Sequence, residues 1–93
     1  GYNTSGSISN SYSTANVSIS TSAVNGSIVG GFIGENYGNV TQSYSTGNIY
    51  VPTATNVIGG FIASNYYSTV DQSYSGGNIY AASGSSRIGG FMG

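Results

Sequence analysis

Acid–base chemistry in this chain would rest on very few groups. Glu35, Asp71 and Arg87 are its only charged side chains, and histidine and cysteine are absent. Hydrolysis or proton transfer needs two tuned groups that converge on one substrate, yet the two carboxylates fall at different phases of the sequence pattern. No imidazole exists to activate any of the many serines. A metal site would lack thiolate and imidazole ligands. The sequence therefore points to no catalytic, cofactor-binding or metal residues, and to a protein that is not an enzyme.

Other residue types suggest other chemistry. The pairs Gly30-Gly31, Gly59-Gly60 and Gly89-Gly90 could form a phosphate cradle, but no lysine follows and no helix is expected, so they read as turns. Nine tyrosines, among them Tyr50 and Tyr80 at expected outward positions, could stack on sugar rings. They could equally stack on each other, at about 0.5–1.5 kcal/mol per pair. Asn3, Asn16, Asn25 and Asn39 each open an Asn-x-Ser/Thr sequence and are candidate N-glycosylation acceptors. Composition alone would supply about as many. A formal net charge of −1 offers no basic patch for nucleic acid, and no long apolar or polybasic run suits membrane insertion.

These residues sit in a sequence that repeats three times. Gly30-Gly31-Phe32-Ile33 recurs as Gly59-Gly60-Phe61-Ile62 and as Gly89-Gly90-Phe91-Met92, 29 and then 30 positions on. Ser11-Tyr12-Ser13-Thr14-Ala15-Asn16-Val17 matches Ser43-Tyr44-Ser45-Thr46-Gly47-Asn48-Ile49 and Ser73-Tyr74-Ser75-Gly76-Gly77-Asn78-Ile79. Ile8, Val40 and Val70 stand four places before the three tyrosines. The first copy carries about three extra residues around Thr21 to Gly26, which reads as a loop insertion. A phased period of this size marks stacked repeats over residues 1–93, with turns of approximately 1–33, 34–62 and 63–93. Gly1, Gly34 and Gly93 share one phase, which suggests an excerpt or unit of a longer array or filament.

Glycine, serine and asparagine dominate and no 3.6-residue apolar stripe appears, so the elements are strands. Val17, Ile49 and Ile79 align, as do Ile19, Val51 and Ala81 two places on, with Ser18, Tyr50 and Tyr80 between them. That alternation describes a half-buried strand. Arg87 aligns with Val57 and Ile28, which turns Ile88, Ile58 and Val29 inward. Asp71 aligns with Thr41 and Ser9, which turns Val70, Val40 and Ile8 inward. Strict alternation would then bury Gln72, Gln42 and Asn10 together with Tyr74, Tyr44 and Tyr12; a corner would reset the parity. Both alternatives stand on sequence alone.

The fold expected is all-β: a β-solenoid of three stacked rungs of about 30 residues each. Equivalent residues then form structural ladders, Phe32 over Phe61 over Phe91, Tyr12 over Tyr44 over Tyr74, and Asn16 over Asn48 over Asn78. The pattern resembles the GLUG repeat, named for a Gly-Leu-(any)-Gly core. Phe32, Phe61 and Phe91 take the leucine position, Asn36 and Asn65 the asparagine after the glycine cluster, and Tyr44-Ser45-Thr46-Gly47 the Tyr-Ser/Ala-Thr-Gly stretch. Ala63 in place of glycine and the lengthened first copy depart from it. The resemblance implies a bacterial, secreted, adhesin-like surface module and carries no catalytic residues.

A short stack exposes unpaired strand edges at both ends, and a surface with so little charge does not keep copies apart. The expectation is therefore a structural unit of an extracellular filament or cell-surface stalk, needing no cofactor, whose partners are other copies of itself, end to end. A carbohydrate-binding adhesin segment, with glycans as partners, is the alternative. An ice-binding face is weakened by Gly76, which breaks the Thr14/Thr46 ladder. The composition also suits a disordered, prion-like tract, against which the phased β-branched positions argue.

Overall fold

The computed structural model of the chain describes residues 1–19, 27–53 and 57–93. Those residues form a β-solenoid in which each sequence copy supplies five short strands. The first rung comprises β1 (Tyr2–Asn3), β2 (Ile8–Ser9), β3 (Tyr12–Ser13), β4 (Val17–Ser18) and β5 (Ile28–Gly30). The second comprises β6 (Ile33–Asn36), β7 (Val40–Thr41), β8 (Tyr44–Ser45), β9 (Ile49–Val51) and β10 (Val57–Gly59). The third comprises β11 (Ile62–Asn65), β12 (Val70–Asp71), β13 (Tyr74–Ser75), β14 (Ile79–Ala81) and β15 (Ile88–Gly89). Each strand pairs only with its counterparts, so five parallel three-stranded sheets result, every one with the second-rung strand at its centre.

Register shows where copies differ in length. Val17 pairs with Ile49, 32 residues on, whereas Ile28 pairs with Val57, 29 residues on. The first copy thus holds three more residues between Val17 and Ile28 than the second holds between Ile49 and Val57. The insertion expected around Thr21 to Gly26, and the acceptor Asn25 within it, lie outside the described residues.

Apolar residues inside the coil gather into two clusters. Val29, Ile49, Val51 and Ile58 form one, and Ile33, Val40, Phe61 and Ile62 form the other. A pinch accompanies this division: Ser45, fully buried, donates its hydroxyl hydrogen to the Gly60 carbonyl at 2.7 Å. A Cβ on Gly60 would collide with the Gly90 carbonyl of the next rung, so backbones can lie this close there only without a side chain.

The open question of strand parity is settled by one corner. Asn10, Gln42 and Gln72 each hold φ near +50°, at 50°, 49° and 49°. This left-handed residue turns the chain and resets the alternation. Gln42 is exposed, Ser43 and Ser45 are buried, and Tyr44 between them looks outward. Burial of the glutamines and tyrosines, the strict-alternation alternative, is therefore overturned. Ser11, Ser43 and Ser73 brace the corner, each hydroxyl donating to the carbonyl two residues back at 2.8–2.9 Å.

Candidate functional site

Polar side chains are organised along the stacking axis. The Asn16 carboxamide oxygen accepts the Asn48 N–H at 2.8 Å, and that of Asn48 accepts the Asn78 N–H at 2.9 Å. A second asparagine column lies deeper, and aligned copies had marked it only as part of the family pattern. Asn3 Nδ2 donates to Asn36 Oδ1 at 2.8 Å, and Asn36 Nδ2 donates to Asn65 Oδ1 at 2.7 Å. Each amide also closes its own turn, Asn3 onto the Gly6 carbonyl and Asn36 onto the Gly38 carbonyl. Asn36 is completely buried, and these bonds satisfy its amide. The alignment of Asn36 with Asn65, carried down to Asn3, was the available signal.

The acceptor residues named from sequence have assigned work in the stack. Asn3 has both amide hydrogens engaged, so a sugar there would displace a ladder bond. Asn39 accepts the Thr69 N–H at 3.1 Å. Asn16 is exposed and uses its oxygen alone in the bond to Asn48.

Aromatic residues divide by side. Phe32, Phe61 and Phe91 stack inside, with ring centroids 4.8 and 5.1 Å apart and planes within 14°. Tyr12, Tyr44 and Tyr74 stack outside at 5.3 and 4.8 Å. A further outer column runs through Tyr2, Tyr37 and Tyr66, tilted in the first pair and stacked at 4.7 Å in the second. There the Tyr37 phenol is pushed above its ordinary range, first by desolvation, then by Tyr2 and Glu35. Tyr50 and Tyr80 differ: their rings lie 6.3 Å apart at 52°, lining an open groove of about 490 Å³ with Val51, Pro52, Ile79, Ala81 and Ala82. Both rings are more than half exposed, at 55% and 54%. Glu35 and Asp71 lie on β6 and β12, on different sheets and in different rungs.

The two ends of the stack are the remaining feature. Among the described residues, β1 to β5 form one set of sheet edges and β11 to β15 the other. Residues that are buried in the middle become exposed there: Ile58 is 0% exposed, while Ile88, in register with it, is 49%. Ile88 was expected inward with Ile58 and Val29; its exposure follows from its place in the outermost described rung.

Comparison with curated proteins and with solved structures gives no match. A family model, the GLUG motif, matches residues 25–50, which take in the Gly30-Gly31-Phe32 corner and run into β9. The residues of that motif recur in register in the neighbouring rungs, so the chain carries a GLUG motif within a threefold stacked repeat.

Proposed function

We propose that this chain is the structural repeat unit of an extracellular filament or surface stalk, extended end to end by β-strand stacking. The observation that carries the reading is the pair of open ends. Among the described residues, all five sheets end on parallel edge strands, first-rung strands at one face and third-rung strands at the other. Parallel edges of matching order can continue the ladders of backbone hydrogen bonds. Three charged residues in 93 give little repulsion between copies. The work is mechanical, no catalysis is assigned, and the location outside the cell rests on the resemblance to GLUG repeats of surface proteins.

Negative-stain microscopy of the 93-residue chain over a concentration series tests it. Fibres with an axial repeat of about 14 Å, three strand spacings, are expected. A stable monomer at high concentration refutes the reading.

A second reading, a carbohydrate-binding adhesin segment, is favoured by the Tyr50/Tyr80 groove. Two exposed tyrosine rings line it, aromatic surface of the kind on which a pyranose ring stacks. Glycan-array binding that disappears in Tyr50→Ala and Tyr80→Ala would establish it; an array with no signal would remove it.

A further inference from the structure

We infer that the stack joins a second copy of itself in one polarity only, third rung beneath first rung, and that Gly90 and Ala15 set the strength of that joint. The inference rests on the end-to-end reading above and adds its direction, register and control points.

Polarity comes from the side-chain ladders, which all run one way. In the inner column, each asparagine amide donates upward to the oxygen of the next, Asn3 to Asn36 to Asn65. Asn65 Nδ2 donates to the Ser68 carbonyl of its own turn, and its other hydrogen has no rung above to meet. In the outer column each oxygen accepts a backbone N–H from the rung above, Asn16 from Asn48 and Asn48 from Asn78. The third rung therefore presents an amide donor at Asn65 and an acceptor at Asn78. The first rung presents the matching acceptor at Asn3 and the N–H of Asn16. Two third-rung faces, or two first-rung faces, would meet by a two-fold rotation that runs the strands antiparallel, and the asparagine columns would lose their matching partners.

Glycine explains the register. A Cβ on Gly31 would strike the Gly60 carbonyl of the rung above, and one on Gly60 would strike the Gly90 carbonyl. Gly90 ends this column, and a Cβ there meets nothing within 4 Å. Nothing in the described chain demands glycine at 90; the Gly31 carbonyl of a second copy, seated one layer higher, would. The adjoining corner works against the joint. Cβ atoms on Gly47 and Gly77 would strike the carbonyls of Ala15 and Gly47 in the rungs below. Ala15 holds that position in the first rung, so its methyl group meets the Gly77 carbonyl of the copy beneath. That corner must yield when copies join, which makes the joint weaker than contacts between rungs of one chain.

Association of the 93-residue chain, followed by sedimentation and microscopy, tests the inference with two substitutions. Gly90→Ala should leave the melting temperature of the monomer unchanged and raise the critical concentration for fibres at least about tenfold. Ala15→Gly should lower that concentration. Polarity is read by mixing Thr14→Cys chains with Gly76→Cys chains, which place aligned exposed sites on opposite ends, under mild oxidation. Disulfide-linked dimers that contain one chain of each kind are expected. Fibres that form equally with Gly90→Ala, or dimers of one variant alone, overturn the inference while leaving end-to-end association standing. A wild-type chain that stays monomeric overturns both.

Discussion

The second and third rungs use nearly the same residues at the same positions, and they are protected very differently. Val40, Ile49 and Ile58 are buried in the second rung; their partners Val70 and Ile79 are half-buried and Ile88 is exposed. Phe61 is fully buried and Phe91 only partly. An apolar side chain here is stabilised by the layers on both sides of it as much as by its own strand. Full burial contributes about 1.5–3 kcal/mol per side chain, so a terminal layer forfeits part of that at every apolar position.

Matched substitutions in the two rungs can break or sharpen this comparison. The largest difference is expected at the phenylalanine column. Phe61→Ala should cost about 3–5 kcal/mol in urea unfolding of the monomer, and Phe91→Ala about half as much. Equal losses would mean that stacking layers do not determine burial energy. Next comes the inner amide column. Asn36→Ala strips partners from Asn3, Gly38 and Asn65 together, and a loss of about 2–3 kcal/mol is expected. Asn65→Ala, at an open end, should lose about 1 kcal/mol by the same measurement.

A smaller contrast lies at the pinch. Ser45 donates to the Gly60 carbonyl, whereas the buried Ser75 hydroxyl has no hydrogen-bond partner. Ser45→Ala should therefore lower stability by about 1 kcal/mol, and Ser75→Ala should leave it unchanged or raise it. The least effect is expected from alkali. Because the Tyr37 phenol is raised above its ordinary range, the fold favours its neutral form. That contribution is complete below the ordinary tyrosine pKa of about 10 and fades as pH climbs through the raised value. Melting temperatures measured from about pH 8 to 11 should decline at the upper end, and Tyr37→Phe should reduce the decline.

Much of this architecture was legible before any coordinates. Aligning Val17 with Ile49 and Ile79, and Ile28 with Val57, gave the strand register directly, since stacked copies pair like with like. The phenylalanine, tyrosine and outer asparagine columns follow from the same alignment. Parity at Gln42 was not legible, because a single left-handed residue reverses every side chain after it and glutamine does not announce that conformation. Nor was the buried role of Asn36, as asparagine appears in this chain both as an exposed corner residue and as an interior one. Ile88 could not be distinguished from Ile58 by type; the difference lies in what stands above each.

Tyr67 shows how such a coil tolerates change. Asn65 and Val70 are five positions apart where Asn36 and Val40 are four, yet both pairs remain aligned. The surplus residue is Tyr67, fully solvent-exposed with φ at 51°. Growth of the chain at this bend is vented sideways and leaves neighbouring strands where they were. A binding peptide or affinity tag grafted between Tyr66 and Ser68 would ride on the exterior, giving these proteins room to acquire new appendages without rewriting their interior.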